Sequence, residues 1–231
     1  MTYFSIRIKR LKFAKEHVDK PLEFWKRVLW SDESKFDLFG HKRRQKVWAK
    51  TGEKLLEKNL QKTVKHGGGS IMVWGCFAWS GVGNLFKIDG IMTADTYISI
   101  LNENLKESLL KTGLRKKFIF QQDNDPKHTA RKTTAFFRAN KIKLLEWPPQ
   151  SPDLNPIENL WSILDQQVDK GDVTNKLKLF SALEDAWNKI DDHYLQNLVE
   201  SMPRRLQAVI QAKGGHTNTS YYKFHQLYHY F

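Results

Sequence analysis

The sequence predicts an α/β fold, a sheet of short strands flanked by helices. Three observations carry that expectation. Between residues 118 and 145 strand-like and helix-like patterns alternate, as they do in α/β units. Upstream lie short apolar runs bounded by turn residues, and from Pro156 onward only helical patterns follow. The chain has 231 residues, 40% of them hydrophobic and eight of them Trp, enough to bury a core around such a sheet.

Taken in order, residues 7–18 place Ile8, Leu11 and Ala14 or Val18 on one helical face among lysines, which predicts a basic lead-in helix. Residues 28–31 and 35–39 are two short strand candidates, and the basic connection 40–46 leads to the apolar run Val47-Trp48-Ala49. Residues 51–65 are rich in lysine and poor in apolar periodicity, the pattern of an exposed arm. After His66-Gly67-Gly68-Gly69, the apolar run 70–78 and the segment 84–88, separated by Gly81 and Gly83, predict a hairpin. Thr93 is positioned to cap a helix carrying Tyr97, Ile100, Leu101, Leu105 and Leu109 at helical spacing. A strand at 118–122, a helix at 130–140 and a strand at 141–145 follow. Pro148, Pro149 and Pro152 impose an extended, helix-free connector. The helix from Pro156 has the stripe Ile157, Leu160, Trp161, Leu164 and Val168, and further helices are expected at 177–190 and 194–213. Periodicity is lost past Gly214-Gly215, so residues 1–213 are expected to form the domain and 214–231 a tail.

The net charge of +13 is an electrostatic footprint suited to a polyphosphate backbone, although basic surfaces also serve solubility. Cys76 is the only cysteine, which excludes an internal disulfide framework and a multi-cysteine zinc site. No run of 18 apolar residues exists, and residues 1–10 lack the apolar core of a secretory signal. A soluble intracellular protein without a membrane partner is expected.

Three carboxylates stand where chemistry can use them. Asp32 closes an apolar strand run, Asp123 follows the strand at 118–122, and Glu158 opens a helix, with 34 residues between the last two. Phosphoryl transfer on nucleic acid uses two divalent metals about 3.5–4 Å apart, and Mg²⁺ takes oxygen ligands with only one or two carboxylates from protein. Each acid also has a plainer reading. A strand-terminating Asp such as Asp32 is an ordinary turn residue. Asp125 shares the strand parity of Asp123, but it precedes Pro126 in a turn where Asp bonds nearby amides, so Asp123 is the better ligand. His128 has no partnered His or Cys at ligand spacing and reads as a loop or helix-start histidine. With Asn155 as N-cap and Pro156 at the first helical position, Glu158 fits a capping box; on a helical wheel it also lies roughly 110° from the apolar stripe, free to face a cleft. The glycines Gly67, Gly68 and Gly69 lack nucleotide phosphate-loop spacing and suit close approach of backbone or nucleic acid, or a simple turn.

These residues carry a family resemblance. Residues 28–40 (VLWSDESKFDLFG), 66–77 (HGGGSIMVWGCF), 120–129 (FQQDNDPKHT) and 146–161 (EWPPQSPDLNPIENLW) resemble the catalytic part of mariner-superfamily DDE transposases, close to the Sleeping Beauty type. The similarity runs loosely over residues 12–217. It implies an RNase H-like fold with a mixed five-stranded sheet flanked by helices. It also implies that Asp32, Asp123 and Glu158 are the catalytic, metal-binding acids, holding two Mg²⁺ ions for which Mn²⁺ substitutes. The implied reaction is cut-and-paste transposition: hydrolysis at transposon ends, then attack of the freed 3′-hydroxyl at a TA step, a pyrimidine–purine step that kinks easily. Double-stranded DNA, a homodimer or higher oligomer on DNA, and a nuclear location are implied as well. A clamp-like insertion near residues 38–69 is implied, with Gly67, Gly68, Gly69, Lys127 and His128 as DNA-proximal residues. Two departures stand out. Nothing ahead of Phe4 holds the family's helix-turn-helix subdomains, and residues beyond the Gly214–Asn218 match have no family counterpart. A non-catalytic DNA-binding or dimerisation protein derived from such an enzyme is the alternative.

Overall fold

The computed structural model describes residues 3–38, 69–114, 117–168 and 173–217. The predicted connection 40–46, the run 47–49, the lysine arm 51–65, Gly67, Gly68 and residues 218–231 lie outside the described residues.

The sheet is built on β1 (Val28–Asp37), which pairs antiparallel with β2 (Ser70–Ala78), itself antiparallel to β3 (Gly81–Ile88). On its other side β1 runs parallel to β4 (Ile119–Gln121), and β4 parallel to β5 (Lys143–Leu144). The order β3-β2-β1-β4-β5 is a mixed five-stranded sheet, as the resemblance implies. Parallel neighbours need crossover connections. They are supplied by α3 (Ala94–Lys111) before β4, and by α4 (Pro126–Thr129) with α5 (Arg131–Ala139) before β5. Thr93 caps α3 as expected, its hydroxyl accepting from the Thr96 amide.

Alternation along the strands sends side chains to two cores. Leu29, Trp74, Cys76 and Phe120 pack with Tyr97, Ile100 and Leu101 of α3 and Phe137 of α5. Val28, Trp30, Val73 and Ile119 face the other way, toward α1 (Tyr3–His17), α2 (Leu22–Trp25), α6 (Ile157–Gln167), α7 (Lys176–Trp187), α8 (Asp192–Glu200) and α9 (Met202–Gln211). By the same parity Asp32 lies on the α6 side, below Trp30. Gly75 fixes how α6 sits: a Cβ there would lie 2.7 Å from Trp161 Cη2, so the bare backbone of β2 admits the indole, which stacks in turn on Trp187. The α6 axis, and Glu158 with it, is thereby seated against β1 and β2.

Four sequence expectations change. The two strand candidates at 28–31 and 35–39 are one strand, because Ser31 to Asp37 find antiparallel partners from Cys76 to Ser70 despite their polar run; Asp32 is an interior strand residue opposite Gly75, not a terminator. The connector expected to be helix-free contains one 3-10 turn, Pro152–Leu154, in which Pro152 takes the first position. The helix expected at 194–213 is two, α8 and α9, because Pro203 in the first turn of α9 has no amide to continue the α8 ladder. Residues 214–217, read as the start of a tail, are pinned to the domain. Arg10 donates to the Gly214 and Gly215 carbonyls at 3.0 Å each, and Thr217 donates through its amide and hydroxyl to Asp153 Oδ2 at 2.9 and 2.8 Å.

Candidate active site

Asp32, Asp123 and Glu158 line one cleft of about 480 Å³, together with Asn124, Asp125 and the wall from Trp147 to Pro152 and Asn155. Each acid arrives from a different element. β1 delivers Asp32, the turn after β4 delivers Asp123, and the first turn of α6 delivers Glu158.

Asp32 is the most constrained. Its Oδ1 accepts from the Glu33 amide at 2.8 Å and its Oδ2 from Asn155 Nδ2 at 3.1 Å. Burial, followed by repulsion from Glu33, Glu158 and Asp123, raises its pKa well above the ordinary carboxylate value. Glu158 is raised too, by burial and by Asp123. The capping-box reading of Glu158 is not realised: the Asn155 amide that a capping glutamate would reach is bonded to the Pro152 carbonyl at 3.0 Å. Asn155 Oδ1 meets the Ile157 amide at 3.4 Å, so Asn155 serves the helix start and Asp32 together.

Asp123 differs because a cation stands beside it. Burial pushes its pKa up, yet the hydrogen bonds from His128 Nδ1 (2.6 Å) and the Asp125 amide (3.0 Å), both to Oδ1, and the nearby Lys127 charge leave it lowered. Oδ2 is left for the cleft. His128 lies in the short helix α4, as the helix-start reading has it, and is buried, with Tyr97 against its ring at 4.1 Å between centroids. Burial disfavours its charge, but the bond to Asp123 and the Glu33 carboxylate 3.3 Å from Nε2 raise its pKa to about 9. The Glu33 contact lies off the N–H direction, so it acts as an ion pair and not as an aligned hydrogen bond. Glu33 and His128 are the site residues that residue patterns alone do not single out; the five-residue step from Asp123 to His128, one helical turn beyond a tight turn, is the signal that links the two. Asp125 takes the structural role expected of it, capping α4 through the Lys127 amide (2.9 Å) and pairing with Lys127 Nζ at 2.7 Å. Lys127 also stands 3.5 Å from Glu33. Gly69, the described member of the glycine run, has φ +65° and accepts from the Leu38 amide at 3.0 Å, where the chain re-enters the sheet; it does not line the acid cleft.

A pH dependence follows from His128. Its folded pKa of about 9 lies above the ordinary 6.5, so the stability it contributes is full below about 6.5 and is lost as pH rises through 9. In metal-free buffer the melting temperature should fall across that window, and His128→Gln should flatten the fall; an equal slope in both proteins would contradict the assignment.

The cleft wall is held from behind. Arg10, fully buried, donates to both carboxylate oxygens of Asp153 at 2.8 and 2.7 Å and to Ser151 Oγ at 2.7 Å. Arg205 donates to the Asp153 carbonyl (2.9 Å), Asn159 Oδ1 (2.6 Å) and Ser201 Oγ (2.7 Å), and burial lowers its pKa to about 10. Two guanidinium groups thus fix the loop that bears Asn155 and the first turn that bears Glu158.

Among the described residues no three of His, Cys, Asp and Glu are gathered tightly enough to enclose a single ion. The donor set nonetheless fits Mg²⁺, which takes oxygen ligands, keeps waters and shares substrate phosphates. Two carboxylates whose charge is disfavoured by burial and by neighbouring carboxylates face one cleft, the arrangement that a divalent cation would relieve.

A sequence profile of the DDE superfamily endonucleases matches residues 27–183. The chain is 44% identical over 205 residues to the Tcb1 transposase of Caenorhabditis briggsae, covering 89% of this chain and 75% of that protein. It is 42% identical over 208 residues to the Tc1 transposase of Caenorhabditis elegans, covering 90% and 76%. Among solved structures, the Mos1 transposase paired-end complex with left transposon end has TM-score 0.78 at 19% identity, with 94% of this chain and 64% of that chain covered. The Mos1 catalytic domain, solved with Mg, has TM-score 0.71 at 17% identity and is covered over 98% of its length. These likenesses give the fold of the Mos1 catalytic domain, and no helix among the described residues is long and apolar enough to cross a membrane. The profile match and the nematode relatives make this chain a member of the DDE superfamily endonucleases, a catalytic domain of the Tc1/mariner transposases.

Proposed function

We propose that Asp32, Asp123 and Glu158 are the catalytic, metal-binding acids of this domain, holding two Mg²⁺ ions, with Mn²⁺ able to replace them, for phosphodiester hydrolysis at transposon ends and transfer of the freed 3′-hydroxyl into a TA site. The observation that carries the reading is the convergence of three carboxylates from β1, the end of β4 and the start of α6 on one cleft, two of them with raised pKa. When bound, divalent ions supply Lewis acidity to the phosphoryl oxygens and lower the pKa of the attacking water. The residues of the chain do the placing. Asn155 holds one oxygen of Asp32, His128 holds one oxygen of Asp123 and leaves the other facing the cleft, and Arg205 sets the turn from which Glu158 projects. Glu33 and Lys127 steady His128 and Asp125 from the side.

The full reaction extends this reading. The chain spans 64% of the first Mos1 chain and about three quarters of the nematode relatives, so end recognition, TA targeting, assembly as a homodimer or higher oligomer on double-stranded DNA and a nuclear location belong to the same proposal. Mos1 itself has been solved as paired-end and strand-transfer complexes. The +13 charge supports a DNA partner here. The non-catalytic alternative is not favoured by the family match.

Glu158→Gln separates chemistry from structure. It keeps the length of the side chain but removes the charge that draws a divalent cation. Because burial and Asp123 disfavour the Glu158 charge, stability should hold or rise, while nicking of a pre-nicked element-end duplex in Mg²⁺ is lost. Normal nicking by Glu158→Gln would remove Glu158 from the site.

A further inference from the structure

A second cavity, of about 630 Å³ and lined by basic residues, opens at the opposite end of the parallel strands. Arg27 immediately precedes β1, Lys117 lies just ahead of β4, and Lys141 and Lys143 lead into and begin β5, so the three strand entries converge there. Asp32 within β1, just past its parallel pairing with β4, Asp123 after β4 and Trp147 after β5 lie toward the other end of the parallel ladder. With five residues from Arg27 to Asp32 at about 3.3 Å each, the two openings are roughly 16 Å apart along β1.

Three features mark this cavity as more than a solvated face. Its four cations are exposed, and among the described residues none of them makes an ion pair and no carboxylate lines the cavity. Four like charges around one opening repel each other, a cost that an anion would offset. Lys117 and Lys141 both hold left-handed backbone, with φ +79° and +53°, a conformation unusual outside Gly, Asn and Asp. Leu109, Leu114 and Phe118 add apolar surface to the lining, which long lysine stems can cover while their charges stay in water.

We propose that this cavity is a DNA-backbone site distinct from the catalytic cleft, taking phosphodiester oxygens of duplex outside the segment being cut. The occupant is a polyanion by charge, and DNA is the polyanion that the proposed function brings to this domain; the inference rests on that reading for its ligand only. Binding there requires no metal and no base-specific contact.

The test is fluorescence anisotropy of an arbitrary-sequence duplex in EDTA, titrated from 50 to 200 mM salt. The variant Lys117→Asn/Lys141→Asn/Lys143→Gln removes three charges, and Asn tolerates the left-handed positions. Its control, Lys9→Gln/Lys12→Gln/Lys15→Gln on α1, removes the same net charge from exposed positions. The log–log salt slope should become shallower by about 0.9 per lost contact, roughly 2.7 in all, and affinity at 50 mM salt should drop about tenfold or more, with the control close to wild type. Metal-dependent nicking at saturating DNA should be unchanged in both. Equal losses in variant and control, or a slope unchanged in the variant, would overturn the site while leaving the catalytic assignment intact. Wild-type protein that binds DNA with the expected slope difference yet never nicks would sink the catalytic reading and keep this site.

Discussion

Asp32→Asn is expected to raise the melting temperature of the metal-free domain and to abolish nicking. The folded protein holds this carboxyl buried beside Glu158 and Asp123, with its pKa raised. A raised folded value means that the fold prefers the protonated acid. The stability so gained is present below the ordinary 3.8 and is lost as pH rises through the folded value, so the carboxylate charge opposes folding. Asparagine removes that charge. It keeps one acceptor for the Glu33 amide or for Asn155, losing one of the two hydrogen bonds, which offsets part of the gain. Nicking should fall by about 10³-fold or more, since metal ions supply several kcal/mol of transition-state stabilisation and each 1.36 kcal/mol is tenfold. Differential scanning calorimetry in EDTA reads the first effect and a nicking time course the second. A lower melting temperature at pH 7, or undiminished nicking, would count against this account of Asp32.

Asp153→Ala carries the largest expected loss of stability. Arg10 is fully buried, and among the described residues Asp153 is its sole carboxylate partner, at 2.7 Å. Removing one partner of a buried ion pair leaves an uncompensated charge and costs about 3–5 kcal/mol, out of the roughly 5–15 kcal/mol that holds a domain folded. The two Thr217 bonds to Asp153 would go as well, while Arg10 still holds the Gly214 and Gly215 carbonyls. Urea denaturation should show the midpoint fall, and Arg10→Met combined with Asp153→Leu should recover part of it, because the apolar pair leaves no buried charge, while the Ser151, Gly214 and Gly215 acceptors and the Thr217 donors lose these partners. A cost under about 1 kcal/mol for Asp153→Ala would mean that the pair does not hold the cleft wall.

The order of elements was legible in the sequence because strand and helix periods are local properties. The hairpin of β2 and β3, the Thr93 cap and the stripe of α6 are carried by neighbours a few residues apart. What local pattern could not carry is pairing. The polar run Ser31-Asp32-Glu33-Ser34 interrupts apolar alternation, and only the ladder to β2 keeps it extended, so one strand read as two. The site shows the same division. Asp32, Asp123 and Glu158 could be nominated by motif, but their electrostatics come from contacts across 123 residues for Asn155 with Asp32 and across 143 for Arg10 with Asp153. The partners of His128 were hidden for that reason: Glu33 and Tyr97 sit on β1 and α3, remote in sequence.

The most direct test of the central claim, that Asp32, Asp123 and Glu158 hold the divalent ions, is the binding of Mn²⁺ to the protein on duplex DNA, read by electron paramagnetic resonance. Wild type and Asp125→Asn should bind about two ions per chain, as a two-metal site requires. Asp32→Asn, Asp123→Asn and Glu158→Gln should each lose at least one. Equal binding by all five proteins, or loss in Asp125→Asn with retention in Asp123→Asn, would contradict the assignment.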